Sequence, residues 1–271
     1  MRIAITVTGL LLALCASTLL HAADRLILGV QDYGKNPQVL ANEFKGLAAY
    51  LSKQLGQTVT VQAAQNYERH MVNSKKKRFA FIYGPPTMAI EAHRLAGYEP
   101  VVKIPGVLSA SFMSLSNSDI AFPEDMKGKR IGMPDDDSLV AKLAMAKLRS
   151  LKINSQGYFA RVETFSGAED VIKALKMGLI DVGVASSSLF NIWSARGHNL
   201  NIVLASDPAP HLTFSVRDTL PAEMKAKLTQ ALLLAHEDAD AQEYFMTSGF
   251  PHFEATSIKD YQNISKLLKQ R

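Results

Sequence analysis

The sequence predicts an α/β protein of two similar lobes that face each other across a cleft. Three observations carry this. Short apolar runs alternate with segments of helical period along nearly the whole chain, the pattern of parallel strands linked by helices. The scheme occurs twice, and residues 68–94 can be laid over residues 169–195 without a gap: helix, surface turn, apolar strand, small-residue loop, helix. Each half also has a strand that opens into a helix start, through Gly84-Pro85-Pro86 in one and Ala185-Ser186-Ser187 in the other. Ligands of open α/β sheets sit outside such strand ends.

The chain begins with Arg2, an apolar run over residues 3–20 and then His21-Ala22-Ala23, the layout of a cleavable secretory signal peptide over residues 1–22. Its most apolar part, residues 9–20, is shorter than the about 20 residues a membrane span needs. Cleavage removes Cys15, the only cysteine, so no disulfide framework is expected and a hydrophobic core must hold the fold. With 47% apolar and 20% charged residues, the composition is that of an ordinary globular protein. A formal charge of +5 over 271 residues is mild, and implies neither nucleic acid nor a membrane surface as a partner.

Residues 25–30 read as the first strand, and the loop over 31–37 carries Asp32 and Tyr33. Residues 39–55 form an amphipathic helix with Leu40, Phe44, Leu47, Leu51 and Leu55 on one stripe, closed by Gly56. Strands follow at 58–63 and 79–83, helices at 67–73 and 87–95, and extended pieces at 99–104 and 111–116. The second half reads as strand 130–133, helix 138–151, strand 160–165, helix 169–177, strand 180–185, helix 186–195 and strand 201–205. Residues 211–216 return extended, and helices are expected over 221–236, 240–248 and 258–269. The expected organisation is residues 23–112 for the first part of lobe 1, 113–208 for lobe 2, and 209–271 for the return to lobe 1 and the C-terminal helices. Each lobe is a mainly parallel sheet flanked by helices.

The stretch over residues 129–148 draws most attention. An apolar strand meets Pro134, then Asp135-Asp136-Asp137-Ser138, then a helix with Leu139, Leu143, Ala146 and Leu148 on one face. A helix start carries unpaired N–H groups and a partial positive charge. Here three carboxylates already occupy it, and Asp137 either caps the helix or forms an acidic rim to the cleft. Like charges about 4 Å apart repel by roughly 1 kcal/mol in water and by more in a closing cleft, so an anion is disfavoured. Gly84, Pro85 and Thr87 either cradle a ligand or only start a helix. Ser186 and Ser187 offer hydroxyls at the matching place in the second half, and N-capping accounts for one of the serines there. Ser166 lies in a strand-end loop, and His211, on the return crossing, either packs a hinge or meets the ligand. The run Lys75-Lys76-Lys77-Arg78 reads as a solvated turn. The histidines show no metal-ligand spacing, and no phosphate loop, dinucleotide fingerprint or nucleophile elbow occurs. No metal, cofactor or enzymatic activity is expected.

Several pieces recur in an order that identifies a family. They are Leu47-Ala48-Ala49-Tyr50-Leu51 with Leu55-Gly56, then Tyr67 and Phe81-Ile82-Tyr83-Gly84-Pro85, then Lys127-Gly128-Lys129-Arg130. Phe165-Ser166-Gly167, Gly178-Leu179-Ile180-Asp181 and Arg217-Asp218-Thr219-Leu220-Pro221 complete the set. Nearly the whole chain beyond residue 22 thereby resembles the periplasmic solute-binding proteins of phosphate, phosphite and phosphonate ABC importers. The resemblance implies a type II periplasmic-binding fold, with two α/β lobes closing on a small solute like a hinged clamp and delivering it to a membrane permease. It implies a periplasmic location, and a monomer is expected. A clamp that signals to a membrane sensor kinase is the alternative. The family's oxyanion-holding run falls at Ser138-Leu139-Val140-Ala141, where one hydroxyl is kept and two positions are aliphatic. Its histidine falls at Ala168 or Glu169, and a usual tyrosine falls at Met88, whereas Tyr67 keeps its phenol. The expected ligand is therefore neutral, zwitterionic or cationic rather than a phosphonate. The expected site comprises Tyr33, Tyr67, Gly84, Pro85, Thr87, Asp137, Ser138, Ser166, Glu169, Ser186, Ser187 and His211.

Overall fold

A computed structural model of the chain describes residues 25–31, 36–264 and 266. The expected signal peptide and Tyr33 lie outside the described residues. The first run of elements is β1 (Leu26–Val30), α1 (Pro37–Glu43), α2 (Lys45–Leu55), β2 (Val59–Ala63), α3 (Tyr67–Lys75), β3 (Phe81–Gly84), α4 (Pro86–Ala96) and β4 (Tyr98–Lys103). The chain crosses through β5 (Val107–Leu108) into β6 (Ala110–Leu115), β7 (Arg130–Pro134), α5 (Leu139–Ser150), α6 (Ser155–Tyr158), β8 (Arg161–Phe165) and α7 (Ala168–Lys176). It continues through β9 (Val182–Ser186), α8 (Ser187–Ala195) and β10 (Leu200–Ala205). It returns through β11 (Ala209–Pro210) to β12 (Thr213–Arg217), α9 (Ala222–Leu234), α10 (Ala239–Ser248), β13 (Glu254–Ala255) and α11 (Ile258–Tyr261).

The strands form two sheets of matching layout. One runs β13-β4-β12-β3-β1-β2 and the other β10-β6-β9-β7-β8. In each, a parallel trio (β3-β1-β2 or β9-β7-β8) is flanked by an antiparallel strand that arrives from the opposite half of the chain, β12 or β6. The sequence repeat maps onto this symmetry. The units α3-β3-α4 and α7-β9-α8 hold equivalent places, and β3 and β9 each lie between the central strand and the visiting one. Where the chain passes between sheets, β5 and β11 pair antiparallel, Ala209 opposite Leu108 and Pro210 opposite Val107.

Both faces of each sheet are covered. Leu28, Val30, Phe81 and Phe214 pack with Leu47 and Leu51 of α2 and Leu228 of α9 on one side of the first sheet, while Met71, Phe79 and Tyr98 pack with α4 on the other. In the second sheet Ile131 and Val184 pack with Leu143 and Leu148 of α5, and Met113 packs with Val171 and Leu175 of α7. Gly29 in β1 and Gly132 in β7 are equivalent close approaches. A Cβ on Gly29 would stand 2.5 Å from the Phe79 ring, and one on Gly132 would stand 2.5 Å from Ile180 Cδ1. Because Phe79 has no exposed surface into which to move, Gly29→Ala is expected to cost about 1–3 kcal/mol of stability, read as a lowered denaturation midpoint.

Two sequence expectations are corrected. The helix over 39–55 is interrupted at Phe44, whose backbone ends α1 and begins α2. The Phe44 ring lies in the core, 4.9 Å from both Tyr83 and Tyr244. The basic turn at 75–78 is not wholly solvated. Lys77 takes a left-handed backbone, pairs with Asp218 at 2.7 Å and donates to the carbonyl of Ala96, while Arg217 donates to the Lys77 carbonyl at 2.6 Å. The final helix is described as α11 and at residues 264 and 266.

Candidate functional site

Four helices begin at one crevice between the sheets. The starts of α4, α5, α7 and α8 contribute Pro85, Ser138, Glu169 and Ser186 to an inner chamber of about 400 Å³. His211 and Leu212, which follow the crossing strand β11, and Phe250 after α10 also line it. A second, outer chamber of about 750 Å³ lies alongside and holds Tyr67, Thr87 and Glu91 from the first lobe, with Asp136, Asp137, Lys142 and Arg149 from the second. The acidic loop 135–137 stands between the two, contributing Asp135 to the inner chamber and Asp136 and Asp137 to the outer one.

The cap of α5 is Ser138, not Asp137. Ser138 Oγ accepts the Ala141 N–H at 3.1 Å, and the residue is 8% exposed. Asp135 Oδ1 accepts the Asp137 N–H at 2.9 Å, which orders the loop, and Asp137 pairs with Lys142 at 3.3 Å. The run of three acids before a serine supplies four good caps in succession, and only the backbone turn selects among them. Ser186 caps α8 in the same way, accepting the Leu189 N–H at 3.2 Å. Each capping hydroxyl keeps its own proton to donate.

The other expected residues divide by what holds them. Ser166 lines the inner chamber and donates to Asp170 Oδ2 at 2.7 Å. This bond and Lys173 hold the Asp170 carboxyl below the usual carboxylate range. Glu169, exposed, stands in the first turn of α7. Tyr67 donates to Glu91 Oε2 at 2.5 Å, and the Thr87 hydroxyl is buried without a hydrogen-bond partner among the described residues. Two residues lie outside both chambers. Gly84 is buried at the strand end, where a Cβ would meet Met88 Sδ at 2.6 Å. Ser187 sits 2.6 Å from the hydroxyls of both Ser109 and Ser111, so its hydroxyl serves the sheet. Sequence reasoning missed Leu189, Ile192, Leu212 and Phe250, which give the inner chamber its apolar walls. The helical spacing of Leu189 and Ile192 was the only signal, since Phe250 arrives from a loop far along the chain.

His211 is 5% exposed, with its ring edge-on to Phe250 at 5.3 Å. Its Nδ1 accepts the Leu212 N–H at 2.8 Å, so the neutral ring carries its proton on Nε2. Burial, with a smaller contribution from Lys103, pushes its pKa down to about 4. Among the described residues, no group of three or more His, Cys, Asp or Glu side chains could hold a metal ion, and no helix is long and apolar enough to cross a membrane.

Two helix-flanked sheets joined by paired crossing strands, with helix starts facing a common crevice, define a type II periplasmic binding protein. The family model described as the periplasmic substrate-binding protein of phosphonate ABC transporters matches residues 34–261, and the chain belongs to that family. Among solved structures it is similar to PhnD1 from Prochlorococcus marinus in complex with methylphosphonate, with 16% identity, 91% of this chain and 99% of that one covered, and a TM-score of 0.75. A binding protein component of an ABC phosphonate transporter from Pseudomonas aeruginosa shares 20% identity over 90% of this chain and 85% of its own, with a TM-score of 0.68. A Xanthomonas citri protein bound to ATP shares 15% identity over 91% and 96%, with a TM-score of 0.71. No curated protein sequence matches the chain.

Proposed function

We propose that this protein is the exported solute-capturing component of an ABC importer. On this reading it encloses a small molecule between its lobes and presents it, as a monomer, to a membrane permease. Family membership supplies the transporter class and the permease partner, and no comparison favours a sensor kinase. The observation that carries the reading is the convergence of four helix starts from both lobes on one chamber. The ligand is something other than a simple oxyanion. Leu139 and Val140, which stand where two of the three hydroxyl side chains of an oxyanion cradle are expected, line the chamber as apolar surface.

A thermal-shift screen of the purified protein over phosphate, phosphonates, amines and amino acids tests this. Ligand that binds only the folded state raises Tm in proportion to RT ln(1 + [L]/Kd), about 2.7 kcal/mol at a hundredfold excess over Kd. A rise of several degrees with a non-oxyanion is expected. A rise confined to phosphate or phosphonates would overturn the ligand class while leaving the transport reading in place.

A further inference from the structure

Four strands end the two main sheets, β13 and β2 in the first, β10 and β8 in the second. An exposed edge invites another strand to pair, and proteins usually blunt it with charge, shortness or a bulge. Three of these four are blunted. β13 has two residues, β10 has a register shift between Ile202 and Leu204, and β8 carries Arg161 and Glu163. β2, with the sequence Val59-Thr60-Val61-Gln62-Ala63, has no charged residue, no proline and no register shift, and it pairs with β1 alone. The Leu26 N–H donates to the Thr58 carbonyl and the Ala64 N–H to the Val30 carbonyl, so residues 58, 60, 62 and 64 turn their backbone toward β1. The N–H groups of Val61 and Ala63 therefore point away from the sheet, while that of Val59 donates to Ser52 Oγ at 2.9 Å.

The two faces of this edge differ in chemistry. Val59, Val61 and Ala63 pack against the core of the first sheet. On the other face Thr60 Oγ1 accepts from Arg25 Nε at 2.9 Å, and Gln62 borders a groove of about 680 Å³ that Arg69 and Arg78 also line. The Arg78 guanidinium is held in place by Asn73, a residue only 4% exposed. Nη1 donates to Asn73 Oδ1 at 3.3 Å, and the Arg78 N–H donates to the Asn73 carbonyl at 3.1 Å. Glu68 is the one carboxylate in the groove's described lining, and among the described residues no carboxylate pairs with Arg69 or Arg78. We propose that β2 takes an added strand from a partner protein, an extended segment in which acidic residues alternate with apolar ones. Its backbone pairs with Val61 and Ala63, its acids meet Arg25, Arg69 and Arg78, and its apolar side chains extend the row of Val61 and Ala63. A second copy of this chain fits badly, because its own β2 would set the same arginines against these. The edge lies outside both chambers, so this docking is independent of solute capture.

Fluorescence anisotropy of labelled peptides against the purified protein tests this. The probe acetyl-TEVEVET-amide has the required alternation, and TKVKVKT inverts its charge. TEPEPET keeps the charge, but its prolines remove backbone N–H groups and prevent a ladder. Saturable binding of TEVEVET is expected, at least about tenfold tighter than either control and weaker as salt rises past about 0.15 M. The Arg69→Glu, Arg78→Glu double variant, changed at two exposed positions, should weaken it at least about tenfold. Val61→Pro should do the same with unchanged circular dichroism, because that N–H faces outward and the bonds to β1 come from residues 60 and 62. Failure of TEVEVET to bind overturns the proposal, as does equal binding of either control. So does unchanged affinity in the double arginine variant, which decides the matter alone if Val61→Pro fails to fold, or in a folded Val61→Pro. Sedimentation of the unliganded protein reads the competing occupant. A dimer that Val61→Pro dissociates would assign the edge to a second copy and overturn the proposal as well.

Discussion

Between pH 6.5 and pH 4 the protein is expected to lose several kcal/mol of folding stability, in a window that its carboxylates do not explain. Two histidines cause this. His70 is fully buried against the Phe79 ring, 5.0 Å between centroids, and burial pushes its pKa from 6.5 down to about 4. His211 is shifted to the same value, mainly by burial. In this window the unfolded chain binds protons at both rings and the folded one does not. Unfolding therefore takes up protons, and stability falls as pH falls. The contribution is intact above 6.5 and spent once pH reaches about 4, and each ring carries on the order of 3 kcal/mol. The depressed carboxyls of Asp181, held by Arg130, and of Asp218, held by Lys77, act in the same direction but lower on the scale, because an unfolded aspartate titrates near 3.8. Urea melts at pH 7, 6, 5 and 4 measure the slope. A flat profile down to pH 4.5 would contradict the burial of both rings.

Phe44→Ala is expected to cost about 3–5 kcal/mol, a third or more of the stability of an ordinary domain. The ring is 1% exposed and contacts three others, Tyr83 of β3, Tyr244 of α10 and, at 6.3 Å, Phe214 of β12. It thus joins the first sheet to the C-terminal helices that cover it. Truncation leaves a cavity among aromatic rings that cannot collapse into it. Phe122→Ala provides the comparison: at 67% exposure it should shift the urea midpoint by no more than about 0.5 kcal/mol equivalent. Equal effects from the two would show that Phe44 does not hold the lobe together.

The fold was legible because its signals are local and periodic. Alternating apolar runs located the strands, and the repeat over 68–94 and 169–195 located the two lobes. The pieces that carry the family resemblance are largely structural. Arg130 and Asp181 join β7 to the turn before β9 through bonds of 2.6–3.0 Å, at the opposite end of β7 from the crevice. Arg217 and Asp218 secure the turn at Lys77 at the corresponding end of the other sheet. Motifs that hold a scaffold together reveal the scaffold and say little about the cargo. The cleft was legible only in its helix starts. Which residue of Asp135-Asp136-Asp137-Ser138 caps α5, or that Ser187 faces Ser109 and Ser111, depends on backbone turns and cross-strand pairing that no local pattern encodes. Phe250 reaches the chamber from a loop whose position is set by the packing of α10.

The visiting strand β12 lies between β3 and β4, two strands that precede it by more than a hundred residues and do not pair with each other. A chain made from its N-terminus therefore cannot join β3 to β4 until residue 217 has emerged, by which time the strands of the second sheet are already synthesised, and β13 adds the edge strand later still. Such long-range closure slows folding. On the proposed reading of an exported protein, that wait works in favour of export, because the leading half of the polypeptide stays unclosed until most of the chain is available.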